Sequence, residues 1–91
     1  MSERFGLLLC NPARRALESR LPLSVTFAVW EFCNGVLRDA PRRVGRPLGR
    51  ELAGYFSAHR GAYRIIYRID DDAPIIHVVR IEHRAVVYRP R

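Results

Sequence analysis

The fold is decided by residues 55–83, which read YFSAHRGAYRIIYRIDDDAPIIHVVRIEH. Gly61 supports a tight turn, and residues 70–74, DDDAP, form a second and stronger turn signal. The stretches between and around the turns are rich in aromatic and β-branched residues. They predict three consecutive strands over residues 55–60, 62–69 and 75–83.

Side chains of a strand alternate between two faces. In the second strand one face is predicted to carry Tyr63, Ile65, Tyr67 and Ile69, and in the third strand Ile75, His77, Val79 and Ile81. We expect these mostly apolar faces to cover the helices, which makes His77 a buried core histidine. Pairing Ile69 with Ile75 across the turn then sets Arg64 opposite Arg80 on the charged face. Like charges directly opposite each other destabilise a sheet, and a bound anion or Glu82 would relieve this repulsion.

The first half of the sequence predicts a strand and a helical hairpin. Residues 5–10 form a short apolar run, Asn11 can cap a helix with Pro12 at its first position, and Ser24 can cap a second helix after Pro22. The apolar stripe of the second helix contains Val25, Ala28, Val29, Phe32, Cys33 and Val36, widened by Trp30. The expected fold is therefore α+β, with the N-terminal strand and hairpin packed on a small antiparallel sheet in one domain over residues 1–91.

Composition narrows the class of protein. The 91 residues are 48% hydrophobic and 27% charged, as in globular proteins, and no apolar run approaches the roughly 20 residues of a membrane span. Cys10 and Cys33 are expected to be reduced thiols, because two cysteines cannot build a disulfide framework. The three histidines lack metal-ligand spacing, and phosphate-loop and dinucleotide motifs are missing from the sequence. We therefore expect a cytoplasmic protein without a cofactor or metal.

The charge points to a polyanionic partner. The formal net charge is +7, every basic residue except histidine is arginine, and residues 42–91 account for +6 of the total. Two groups of side chains are predicted to bind RNA: the loop residues Arg42, Arg43, Arg46 and Arg50, and a sheet rim with His59, Arg60, Arg64, Arg80, His83, Arg84 and Tyr88. The alternative is a solvated basic loop and sheet edge without a ligand, with Glu82 as local counter-ion.

Such a rim suits cleavage of RNA without a metal. That reaction needs an activated 2′-hydroxyl, stabilised charge on the phosphorus and a protonated leaving oxygen. Fixed guanidinium groups meet the second need, whereas proton transfer requires a histidine or tyrosine, because arginine stays protonated.

Three stretches resemble the toxins of the RelE family: residues 41–48 (PRRVGRPL), 52–70 and 81–89 (IEHRAVVYR). The resemblance implies a toxin of a type II toxin–antitoxin system that enters the ribosomal A site and cuts mRNA there, using the 2′-hydroxyl as nucleophile and no metal. It also implies a RelB-like antitoxin as partner, with operator DNA bound only through the antitoxin complex and no membrane contact.

The resemblance assigns roles by position. Arg64 and Arg84 correspond to the family arginines that stabilise charge at the phosphate, and Tyr88 to the terminal tyrosine that orients the nucleotide. We add His83 to this catalytic set and expect Arg46, Arg50, His59, Arg60 and Arg80 to bind RNA. Tyr55 and Ser57 stand where the best-known member has two lysines, so proton transfer is open between His59 and His83.

Two other functions fit the same resemblance. A ParE-type toxin shares this fold but inhibits DNA gyrase without cutting RNA. A catalytically inactive chain would serve only as corepressor with its antitoxin.

Overall fold

A computed structural model describes residues 4–85. Five strands are present, β1 (Gly6–Leu9), β2 (Arg46–Pro47), β3 (Tyr55–Arg60), β4 (Tyr63–Asp70) and β5 (Ile75–His83). Helix α1 (Asn11–Arg15) continues as a π-helical turn (Ala16–Arg20), α2 (Leu23–Phe32) as another (Cys33–Leu37), and α3 is short (Pro41–Val44). A 3₁₀ turn (Arg50–Leu52) precedes β3. The α+β class predicted from the sequence is confirmed.

The strands form one sheet in the order β1-β5-β4-β3-β2. The predicted antiparallel pairing holds for β3, β4 and β5. Strand β2, which was not predicted, also lies antiparallel to β3, whereas β1 lies parallel to β5, so the sheet is mixed. The helices between β1 and the later strands carry the chain back across the sheet, which allows two strands of the same direction to become neighbours.

The helical hairpin begins differently from the prediction. Cys10 and Pro22 occupy the N-cap positions of α1 and α2 without a side-chain cap bond, so the predicted caps at Asn11 and Ser24 are wrong. The Asn11 side chain instead accepts a hydrogen bond from Arg14. The helices bury Ala13, Ala16, Val29, Cys33 and Leu37. Val36, predicted in the stripe, is exposed, because the π-helical turn advances Leu37 to the buried position.

Strand β5 contains the largest departure from the predicted faces. Ile76 and Val78 are fully buried against the helices, while His77 lies half-buried on the opposite face. The pairing with β4 shifts at Ile66/Tyr67, and past this bulge Ile81 returns to the core. The prediction of a core His77 is therefore wrong: the first half of β5 has apolar residues on both faces, so alternation alone did not fix its orientation.

The segment that contains the predicted loop residues Arg42, Arg43, Arg46 and Arg50 is held against the sheet by Tyr67. Its ring is fully buried and stacks on Phe56 with centroids 5.6 Å apart. The hydroxyl donates a hydrogen bond of 2.5 Å to the carbonyl oxygen of Pro41. Burial raises the pKa of Tyr67 to about 12, although a hydrogen bond from the Gly45 backbone acts to lower it. Tyr67 thus sets the path by which α3 leads into β2.

Both cysteines are free thiols, as predicted. Cys10 is half-buried at the end of β1, whereas Cys33 is fully buried in the hairpin. Burial raises the pKa of Cys33 to about 12. Of the two, only the Cys10 thiol is open to reagents.

Candidate functional site

The face of the sheet that points away from the helices carries four of the nine predicted site residues, Arg46, His59, Arg64 and Arg80. We call it the outer face. It is formed by alternate residues of three strands: Tyr55, Ser57, His59, Arg64, Ile66, Arg68, Arg80 and Glu82. Because the strands are in register, these side chains stand in rows that cross the sheet.

The central row joins two of the predicted RNA-binding arginines. Arg46 pairs with Ser57, Ser57 with Ile66, and Ile66 with Arg80. Ser57 is only 8% exposed, and its hydroxyl has no hydrogen-bond partner within residues 4–85. Buried polar atoms in proteins normally form a hydrogen bond. The row therefore presents an arginine at each side and an available hydroxyl between them.

The next row corrects the predicted register. Arg64 lies opposite Glu82 and not Arg80, for two reasons: Ile75 pairs with Asp70 and not with Ile69, and the bulge in β5 inserts one further residue into the pairing. The Arg64 guanidinium lies 3.7 Å from the Glu82 carboxylate, with 29% and 12% of the two side chains exposed. His59 completes the row beside Arg64. The ion pair lies on the outer face, so it holds Arg64 there and leaves part of the guanidinium accessible.

The corner at Gly61 gathers further basic residues. Gly61 adopts a φ of +61°, which permits the tight turn between β3 and β4. At this corner the backbone N–H of Arg84 donates to the carbonyl oxygen of Ala62 at 2.7 Å. Arg60 and Arg84 are both exposed, and Arg60 belongs to the helix-side row of its register partner Tyr63. Arg84 thus follows the last strand at the same end of the sheet as Arg64, while Tyr88 lies outside the described residues.

His83 faces the helix side of this corner. Its register partner is Tyr63, and the two rings meet edge to face with centroids 5.1 Å apart. The backbone N–H of Ala85 donates to His83 Nδ1 at 3.0 Å. A neutral imidazole that accepts at Nδ1 carries its proton on Nε2. In this tautomer His83 offers a hydrogen-bond donor at Nε2, and it stands on the other side of the sheet from His59 and Arg64.

The predicted loop arginines separate into two groups. Arg42 is tied to Asp71 by an exposed ion pair of 2.5 Å. Arg46 continues the central row, and Arg50 is exposed at the start of the 3₁₀ turn. Arg50 has a φ of 57°, a left-handed conformation that is costly for a residue with a side chain. This backbone conformation sends the chain into the turn that carries Glu51 and Leu52.

Sequence reasoning missed a cleft at the edge of the outer face. It has a volume of about 390 Å³ and lies between the start of α1, the bulge of β5 and the 3₁₀ turn. The only sequence signal for the turn is the pair Gly49 and Gly54 around it. Residue spacing along the chain cannot show that this turn packs beside β4 and β5, because that contact is tertiary.

Comparison with known proteins identifies the family. Residues 36–88 match the family described as ParE toxin of type II toxin-antitoxin system, parDE. Toxin RelG of Mycobacterium tuberculosis is 53% identical over 77 residues, covering 85% of this chain and 87% of RelG. The chain belongs to the RelE/ParE superfamily of toxins. Toxin RelE of the same organism is 41% identical over 85 residues, covering 93% of this chain and 87% of that toxin.

The fold agrees with this assignment. A crystal structure of the toxin–antitoxin complex RelBE2 of M. tuberculosis contains a chain that matches with a TM-score of 0.85 and 46% identity, over 89% of this chain and 99% of that one. This chain is therefore a RelE-family toxin of the type II class, which confirms the family predicted from the sequence. Every predicted site residue of the toxin falls within the matched range 36–88. No helix within residues 4–85 is long and apolar enough to cross a membrane.

Proposed function

We propose that this RelE-family toxin is a ribosome-dependent endoribonuclease that cuts mRNA in the A site. One observation carries the proposal: Arg64 and Arg84 stand at the same end of the sheet, linked through the bond between Arg84 and Ala62. Two guanidinium groups from separate segments can hold one phosphate between them. The similarity to toxins named RelE and RelG supports a role as a toxin of this family.

The proposed reaction is an internal transfer at one phosphodiester. The 2′-oxygen forms a bond to the adjacent phosphorus and the bond to the 5′-oxygen breaks, leaving a 2′,3′-cyclic phosphate and a 5′-hydroxyl. Arg64 and Arg84 stabilise the charge that develops on the phosphoryl oxygens. Arg80 and Arg46, in the central row, bind flanking phosphates, as do the exposed Arg50 and Arg60. This scheme assigns no step to a metal ion, because the nucleophile belongs to the substrate and arginines supply the positive charge.

Two protons must move during the transfer, one from the 2′-hydroxyl and one to the leaving 5′-oxygen. His59 lies beside Arg64 on the outer face, where it can accept the first. His83 is exposed at the end of β5, and its imidazolium form, which carries a proton on both nitrogens, can donate the second proton to RNA that crosses this end of the sheet. Tyr88 orients the nucleotide in this proposal, by its correspondence to the family tyrosine.

Replacement of the two histidines is expected to affect the pH–rate profile differently. His59→Gln should slow cleavage on programmed ribosomes by about 100-fold and remove the acidic limb of the profile, because a general base must be deprotonated to act. His83→Gln should slow cleavage but keep that limb. An acidic limb that survives in His59→Gln and disappears in His83→Gln would reverse the two assignments.

Mapping of mRNA ends tests the function itself. Expression of the toxin without its antitoxin should halt growth and produce cuts inside codons of translated mRNA. A matched transcript that lacks its start codon should stay intact, because cleavage requires the ribosome. Cuts of equal number in both transcripts would contradict ribosome dependence.

The other two functions give different results in the same cells. The family match carries the name ParE, so gyrase inhibition is the second candidate. Intact mRNA together with inhibited supercoiling would favour it. Intact mRNA with normal supercoiling and normal growth would indicate an inactive corepressor.

We also propose that a RelB-like antitoxin binds this toxin and that operator DNA is contacted only through their complex. The supporting observation is an apolar stripe on α2 formed by Leu23, Phe27 and Trp30, which are 72%, 63% and 42% exposed. These residues share one helix face, a pattern that suits a protein partner. Co-expression of the cognate antitoxin should therefore restore growth in the mapping experiment, and continued arrest would contradict this partner.

A further inference from the structure

The cleft beside the outer face has the size and lining of a small ligand site. Its volume of about 390 Å³ falls at the lower end of the range for ligand pockets. Most of its wall is apolar, formed by Pro12, Leu52, Ile66 and Val79. A flat, weakly hydrated ring system is favoured in such a space.

Two further side chains suit a nucleotide. Tyr55 lines the cleft with an aromatic ring, on which a base can stack. Arg80 also lines it and supplies a positive charge for the attached phosphate. The buried Ser57 hydroxyl belongs to the neighbouring pair Ser57–Ile66, so an unsatisfied polar atom stands close to one wall of the cleft.

Glu51 gives the cleft a chemical preference. It is the sole carboxylate in the lining, and it makes no ion pair within residues 4–85. The left-handed backbone of Arg50 directs the chain into the turn that brings Glu51 there. A carboxylate only accepts hydrogen bonds, so it pairs with amino groups and is repelled by carbonyl oxygens.

We propose that this cleft receives one base of the RNA and that Glu51 selects bases with an exocyclic amino group over uracil. The inference rests on the proposed function for its substrate class. Adenine, cytosine and guanine each offer an amino group, whereas uracil presents two carbonyl oxygens around a single N–H. The cleft is thus a specificity site, distinct in role from the arginines that act on the phosphate.

Alkylation of Cys10 tests base binding without cleavage. Cys10 lines the cleft, while Cys33 is fully buried with a raised pKa, so iodoacetamide reports on Cys10. Cytidine 5′-monophosphate should protect Cys10 of the full chain at about tenfold lower concentration than uridine 5′-monophosphate. Cys10→Ala should abolish labelling, which checks that iodoacetamide does not react with Cys33.

The charge-neutral variant Glu51→Gln should equalise protection by the two nucleotides, because an amide donates as well as accepts hydrogen bonds. Glu18→Gln, an exposed residue of the hairpin, removes the same charge and should keep the tenfold preference. The same variants can be compared on ribosomes programmed with mRNAs that differ in one A-site base. There, Glu51→Gln should raise cleavage of the uracil-containing mRNA relative to the others.

Two results would overturn the inference: no protection of Cys10 by either nucleotide, or an unchanged preference in Glu51→Gln. Its failure differs from failure of the nuclease proposal. If the nuclease proposal fails, mRNA stays uncut while the nucleotide preference persists and supports the base site. If Glu51 selection fails, mRNA is cut while both nucleotides protect equally.

Discussion

Replacement of Arg64 or Arg84 by alanine is expected to abolish toxicity and to slow mRNA cleavage by about 100- to 1,000-fold. The reason is the loss of a fixed positive charge where negative charge develops in the transition state. Single-turnover cleavage on programmed ribosomes measures the rate. Arg15→Ala removes the same charge from an exposed position on α1 and should retain the full rate. Full toxicity of both site variants would refute the site.

Stability must be separated from activity for Arg64. Its removal leaves the Glu82 side chain, only 12% exposed, without this cation, so Arg64→Ala should also destabilise the fold. Adding Glu82→Gln removes the buried charge and should recover most of the lost stability. Cleavage should stay low in the double variant. Recovery of cleavage together with stability would show that Arg64 is structural.

Arg84 allows a sharper test of geometry, because its described hydrogen bond uses only the backbone and its side chain is exposed. Arg84→Lys keeps the charge but loses the planar pair of donors that grips two phosphate oxygens. We expect this variant to be impaired without a change in melting temperature. Cleavage at the full rate would reduce the role of Arg84 to a point charge.

The ends of the strands could be predicted from the sequence where turn residues mark them. Strands β3 and β5 begin and end at the predicted residues, since Gly61 and the run 70–74 punctuate the chain clearly. Which residues of β5 face the core could not be predicted from the sequence. Ile75, Ile76, Val78 and Val79 are all apolar, and the bulge reverses the alternation within the strand. Only packing against the hairpin selects which residues become the core.

The candidate site was also predictable only in part. Family resemblance proposed Arg64 and Arg84 as site residues, and the sheet brings both to one end. The predicted pairing of Arg64 with Arg80 is wrong by two residues: the turn pairs Ile75 with Asp70 and not with Ile69, and the bulge in β5 adds a second residue, so Glu82 lies opposite Arg64. The lining of the cleft depends on how the 3₁₀ turn packs on the sheet. Glu51 therefore became a candidate only with the structure.

Gly45→Ala is expected to lower the free energy of unfolding by about 3 kcal/mol, a large share of the 5–15 kcal/mol typical of small domains. An added Cβ would overlap the hydroxyl oxygen of Tyr67 and lie 3.1 Å from the carbonyl oxygen of Ser57. The Tyr67 ring is fully buried, so it cannot move aside without breaking its bond to Pro41. Denaturant unfolding measures the change.

Gly49→Ala is a matched control for this variant. Gly45 and Gly49 have similar extended backbones, with φ of −109° and −117°, but a Cβ on Gly49 meets nothing within 4 Å. Gly49→Ala should therefore leave stability nearly unchanged. Equal stability of the two variants would contradict the close approach of Gly45 to Tyr67.

A double variant shows whether the clash is with the hydroxyl. Tyr67→Phe alone should cost about 1 kcal/mol, because the carbonyl of Pro41 loses its donor. Combined with Gly45→Ala, it removes the oxygen that the new Cβ would overlap. The double variant should therefore lose less free energy of unfolding than the two single variants lose in total. Strict additivity would place the strain elsewhere.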